Sequence, residues 1–190
     1  MKKSKWNELE VALLVLLAVC LLTGAAALRR QDDLQQKMIR LHVVANSDSE
    51  RDQALKLQVR DKVLDFTEQT MRSAESREAA NEALRASLPE IERMAEDTLL
   101  ESGCVDSVEA RLEPAEFPLK AYDGFRLPAG EYMALRVLIG EAEGQNWWCV
   151  VYPPLCMTAA SAVAQTGIAC GMEQEDMSLM QEEDEGYQIK

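Results

Sequence analysis

The residues that could do chemistry lie close together. His42, the chain's single histidine, is followed by Ser47, Asp48 and Ser49. Imidazole, hydroxyl and carboxylate are the parts of a nucleophilic hydrolase, and His42 with Cys104, Cys149 or Cys156 would make a thiol–imidazole pair. Neither set comes with a strained nucleophile turn or a glycine-rich oxyanion loop. Zinc would need more ligands than one histidine and a chain without Cys-x-x-Cys supply. The reading is therefore no catalytic residue, no metal and no cofactor, and the same residues must be explained by the elements that hold them.

Those elements are a strand, a capped loop and a helix. In Met38–Ala45, Ile39, Leu41 and Val43 alternate with Arg40, His42 and Val44, giving one buried and one mixed face. His42 falls on the mixed face, where a histidine is ordinarily a surface or hydrogen-bonded side chain. Asn46-Ser47-Asp48-Ser49-Glu50 then breaks the pattern. Ser49 suits an N-cap with Asp52 three residues on, and Ser47 with Glu50 offers a second capping box. The acidic first turn suits the helix dipole and makes a poor cradle for phosphate. A helix over 50–71 follows, with Leu55, Val59, Val63 and Phe66 on one stripe.

Further along, Ser73–Ser102 reads as one long or two abutting helices, with Pro89 kinking or restarting the run and Gly103 stopping it. Val108, Ala110 and Leu112 form a strand ended by Pro114 and Pro118. Leu119–Gly130 is irregular, with turn signals at Asp123-Gly124 and Pro128-Ala129-Gly130. Glu131–Gly140 is a second strand, with Met133, Leu135, Val137 and Ile139 on one face and Tyr132, Ala134, Arg136 and Leu138 making the other only partly polar, which suggests a central strand. Asn146–Tyr152 is a third, expected to pair with it as an antiparallel hairpin. Trp147 and Trp148 must point to opposite faces, so one can enter the core while the other meets solvent, a covering helix or a partner.

Composition bounds the class. The chain has 190 residues, is 47% hydrophobic and carries a formal charge of −13. That supports one domain with a real core and disfavours nucleic acid or an anionic membrane surface as a partner. The N-terminus stands apart. Lys2, Lys3 and Lys5 precede the apolar run Val11–Leu22 and an Ala-x-Ala ending at Ala27, the pattern of a secretory leader. Two readings fit: cleavage after Ala27, or a retained anchor, since Val11–Leu28 approaches the ~20 residues that cross hydrocarbon. A lipoprotein cysteine at Cys20 matches weakly. Export makes Cys104, Cys149, Cys156 and Cys170 disulfide candidates. Cys149 and Cys156 flank a loop turned by Pro153-Pro154; a bridge there would stabilise by roughly 2–3 kcal/mol, and the competing reading is two buried thiols.

Three blocks carry a resemblance. They are Ile39-Arg40-Leu41-His42-Val43-Val44-Ala45-Asn46-Ser47-Asp48-Ser49 with Asp52–Leu57 and Val59-Arg60-Asp61; Pro128–Tyr132 with Ala134-Leu135-Arg136 and Ile139-Gly140-Glu141; and Gly144-Gln145-Asn146-Trp147-Trp148-Cys149-Val150-Val151-Tyr152-Pro153-Pro154-Leu155-Cys156. In these the chain resembles the stage II sporulation protein R family. The resemblance implies a protein made in the forespore and exported across its membrane into the intermembrane space, secreted or N-terminally anchored. It implies activation there of a mother-cell membrane aspartic protease that processes the sigma-E precursor, and it brings no catalytic residues. A secreted hydrolase and a structural envelope protein are the alternatives.

The expectation is thus an α+β fold, a largely antiparallel sheet of three to four strands with two or three helices packed on it. A signal peptide or membrane anchor (1–27) and a polar spacer (28–37) precede a single domain (38–171). An acidic tail (172–190) follows, which either stops short or leads into a last strand. Partner contact is expected at Trp147, Trp148, His42, Asn46, Ser47 and Asp48, and membrane contact only through the N-terminal segment.

Overall fold

A computed structural model describes residues 7–71, 73–156 and 162–181. The chain divides into two compact units, Met1–Leu34 and Gln35–Lys190. The described part of the first is helical, within α1 (Glu8–Gln36), and is long and apolar enough to cross a membrane by length and composition. The polar segment 28–36, read as spacer, is also helical.

The second unit is an α+β domain. Its elements are β1 (Ile39–Val44), α2 (Glu50–Met71), α3 (Arg77–Glu101), β2 (Val108–Phe117), β3 (Lys120–Tyr122), β4 (Phe125–Leu127), β5 (Gly130–Ile139), β6 (Asn146–Tyr152), α4 (Val163–Ala169) and α5 (Gln174–Gln181). The main sheet has four strands in the order β2-β5-β1-β6. β1 runs parallel to β5 and antiparallel to β6, and β2 is antiparallel to β5. Two of the three pairings are antiparallel, as the sequence implies. The hairpin expected between β5 and β6 does not form, because β1 lies between them. The reason is burial: Ile39, Leu41 and Val43 are fully buried on one face and Arg40 on the other, so β1 needs a neighbour on each side.

α2 and α3 cover one face. Leu55, Val59 and Val63 of α2 and Leu84, Ile91 and Leu99 of α3 pack on Leu41, Val43, Leu135 and Val137. α3 is one helix, capped by Ser76, whose hydroxyl accepts from Ala79 N, and Pro89 sits inside it without ending it.

Pro114 does not end β2, which continues to Phe117 with Pro114 opposite Met133. β2 is an edge strand, and the amides of Val108 and Ala110 point outward to Glu96 Oε1 (3.2 Å) and Glu92 Oε1 (2.9 Å) of α3. By strand alternation Pro114 lacks its N–H on that same outer side, where no ladder bond is lost. Two carboxylates and a proline thus blunt this edge against pairing.

The stretch read as irregular forms the two-stranded ribbon β3–β4, turning at Gly124 (φ +82°). The ribbon adjoins the second face of the sheet through the contact of Tyr122 with Arg40. The start of the stretch read as an acidic tail is helical. α5 buries Met177 and Met180, and its Asp176 bonds Lys37 Nζ at 2.6 Å beside β1. The last strand anticipated near the C-terminus falls on 182–190, outside the described residues.

Candidate functional site

The β1–α2 loop is held by its own side chains. Ser49 Oγ accepts from Asp52 N at 3.1 Å, the N-cap bond the sequence implies. The Asp52 carboxylate accepts from Ser47 Oγ at 2.5 Å and Asn46 Nδ2 at 3.1 Å, and these bonds hold it below the usual carboxylate pKa. Asn46 also reaches the β5–β6 connection. Its Oδ1 accepts from Glu141 N at 2.9 Å, its backbone oxygen from Glu143 N at 3.2 Å, and Gly144 N donates to Ala45 O at 2.9 Å. Lys56, almost fully buried, donates to Gln145 O at 2.9 Å and Gln53 Oε1 at 2.6 Å. Burial lowers its pKa. Two loops distant in sequence are therefore one latched corner.

Beside that corner, the register sets Val44 opposite Asn146, Val43 opposite Trp147 and His42 opposite Trp148. The sequence-read residues thus gather at one end of the β1–β6 pair. The two tryptophans split between faces. Trp147 is on the helix side, 36% exposed, with the Arg60 guanidinium 4.3 Å over its ring. Trp148 is half-buried on the other side, between the His42 ring (6.0 Å, stacked) and Lys120 Nζ (5.0 Å). Asp48 is exposed, while Asn46 and Ser47 spend their polar groups internally.

His42 Nε2 lies 2.6 Å from Asn146 Oδ1. Ser47 donates to Asp52, and Cys149 sits opposite Leu41, on the face away from His42. Neither the hydroxyl set nor the thiol–imidazole pair is brought together. Cys149 is joined to Cys156 in a disulfide, with Cα atoms 5.8 Å apart. Cys104 and Cys170 are free thiols. Among the described residues no group of three or more His, Cys, Asp or Glu is placed to hold a metal ion.

Burial lowers the His42 pKa; the bond to Asn146 opposes this, and the positive charges of Arg136 and Arg40 add to it. The unfolded chain therefore takes up this proton more readily. The resulting stability is fully present above about pH 6.5 and is lost as pH falls from there through the depressed folded-state value. Between about pH 7 and pH 5 the wild type should lose more thermal stability than His42→Gln. Equal losses would mean the imidazole protonates without cost.

Sequence reasoning missed Arg40. It is fully buried, with its guanidinium carbon 4.2 Å from the Phe117 ring centre, 4.9 Å from Tyr132 and 5.8 Å from Tyr122. It donates to the Tyr122 hydroxyl. The one available signal was an arginine within a strand whose other residues, His42 apart, are apolar.

Fold and corner define a class: a small α+β domain whose mixed sheet is latched at one end by the loops after β1 and β5, with an apolar helix near its N-terminus. The chain belongs to the stage II sporulation protein R family, whose profile residues 35–162 match. It is similar to Stage II sporulation protein R of Bacillus subtilis (strain 168), at 39% identity over 123 residues. That match covers 65% of this chain and 55% of the relative. No solved structure matches it.

Proposed function

We propose that this protein is an exported sporulation signal. It crosses the forespore membrane, remains secreted or anchored in the intermembrane space, and activates a membrane aspartic protease of the mother cell that processes the sigma-E precursor. It acts by binding, not by catalysis. The observation that carries this reading is membership of the family over residues 35–162. The apolar N-terminal helix is compatible with an export signal or anchor.

Activation by binding requires tighter binding to the active than to the inactive protease. The proposed contact is the aromatic end of the β1–β6 pair: Trp147 and Trp148, with His42 beside Trp148 and the loop Asn46, Ser47 and Asp48 as its border. Large aromatics at a surface are common anchors of binding energy. Expressing the exported protein together with the protease and its substrate should produce substrate cleavage, and no cleavage would overturn the reading. In the same assay Trp147→Ala and Trp148→Ala should each reduce cleavage by about tenfold. If both variants fold, are exported and support cleavage at the wild-type rate, the aromatic contact is wrong.

A further inference from the structure

The corner where α3 turns into β2 has no role in the reading above. Val105 is 89% exposed and Leu100 is 61% exposed. They line a groove of about 350 Å³ with Cys104 and the carboxylates Glu96, Asp97 and Asp106. This is not a loose loop tip. Ser102 N and Cys104 N both donate to Leu99 O, Gly103 N donates to Leu100 O, and Arg51 Nη2 ties Gly103 O to α2 at 2.8 Å. The chain holds two apolar side chains in water on a fixed turn.

The charged side chains that line the groove have one sign. Among the described residues its lining contains no Lys or Arg. The last turn of α3 carries no basic residue of its own and ends on Glu101; the Arg51 guanidinium of α2, held on Gly103 O, offsets part of the negative end of the helix dipole, and the carboxylates remain in excess. Glu96 is occupied in accepting from Val108 N, and the acids here do not converge as metal ligands. What such a groove recognises is a positive charge carried beside apolar side chains.

We infer that the Leu100–Val105 groove is a docking surface for a basic polypeptide segment in which one or two apolar residues are flanked by Lys or Arg. Its apolar residues cover Val105 and Leu100 while the flanking cations meet Asp97 and Asp106. The groove lies beside β2, at the opposite edge of the sheet from β6 and the tryptophans. It is therefore a second surface, independent of the protease contact proposed above.

The test uses the full chain in phosphatidylcholine nanodiscs, with empty nanodiscs as reference. The probe is a fluorescein-labelled Lys-Lys-Leu-Leu-Lys-Lys peptide read by anisotropy. Saturable binding is expected, weakened about tenfold when serines replace the two leucines, and absent when glutamates replace the lysines. Val105→Ser, which keeps the charge and changes only an exposed side chain, should weaken binding about tenfold, and Leu100→Ser similarly. Trp147→Ala should leave it unchanged. No saturable binding, equal binding of the serine peptide, or wild-type affinity in both Val105→Ser and Leu100→Ser would overturn the inference, because general acidity alone would then explain any attraction.

Discussion

Gly144→Ala is expected to lower the unfolding free energy by about 3 kcal/mol, a large effect for one added methyl group. A Cβ built on Gly144 would stand 2.3 Å from the Ser47 carbonyl oxygen, 2.6 Å from its carbon and 2.9 Å from Ala45 Cβ. Two of those three neighbours are backbone and cannot swing aside. The Gly144 N–H donates to Ala45 O, so the methyl group must either break that bond or push the β1–α2 loop off the β5–β6 connection. Asn46→Ala attacks the same latch from the other side. It removes two hydrogen bonds, the one Glu141 N donates to Asn46 Oδ1 and the one Asn46 Nδ2 donates to Asp52, and should cost about 2 kcal/mol. Since both changes open one contact, the double variant should lose less than the sum of the two. Urea unfolding of the four proteins measures this. A Gly144→Ala protein within about 0.5 kcal/mol of wild type would show that the loops are not pressed together in solution.

That latch explains which parts of the site could be read in advance. The capping role of Ser49 and Asp52 is local, and hydroxyl and carboxylate at that spacing specify it. The Leu55, Val59 and Val63 stripe of α2 is local too. The opposite facing of Trp147 and Trp148 follows from strand alternation alone. What sequence could not show is pairing across distance. The order β2-β5-β1-β6 is chosen by which faces must be buried at once, and β5 and β6, adjacent in the chain, are parted by a strand from its start. The same non-locality hid the second duty of Asn46, whose acceptor role appears only when Glu141 is brought beside it. Pro114 misled for a related reason. A proline ends a strand only where its missing N–H is needed, and that depends on β2 lying at an edge.

The two edges also differ in a way that bears on function. β2 is closed by Glu92, Glu96 and Pro114. β6 begins with exposed Asn146 and Trp147, and all seven of its residues, NWWCVVY, are uncharged. Charge and proline are the usual guards of a sheet edge. Within its own strand the aromatic end of β6 has neither, which supports the partner contact proposed above.

Arg40 gives the other large expected effect. Arg40→Ala should cost about 3 kcal/mol, whereas Arg40→Met should be no less stable than wild type. Arg40 is fully buried, and among the described residues its Nε and Nη1 have no hydrogen-bond partner. Burial lowers its pKa, and it raises that of Tyr132 to about 12, so the neighbouring phenol stays neutral and supplies no counter-charge. Removing a guanidinium from water costs several kcal/mol, and stacking on aromatic faces returns about 2. Alanine would remove the cation but leave a cavity among Phe117, Tyr122 and Tyr132. Methionine would fill most of that space, keep sulfur–aromatic contact and discard the two orphaned donors. Guanidinium unfolding separates the outcomes. If Met falls as far as Ala, the guanidinium stabilises the fold and the balance above is wrong. If Met holds stability, the charge is not kept for folding, and the cleavage assay on the Met variant then shows whether activation of the protease requires it.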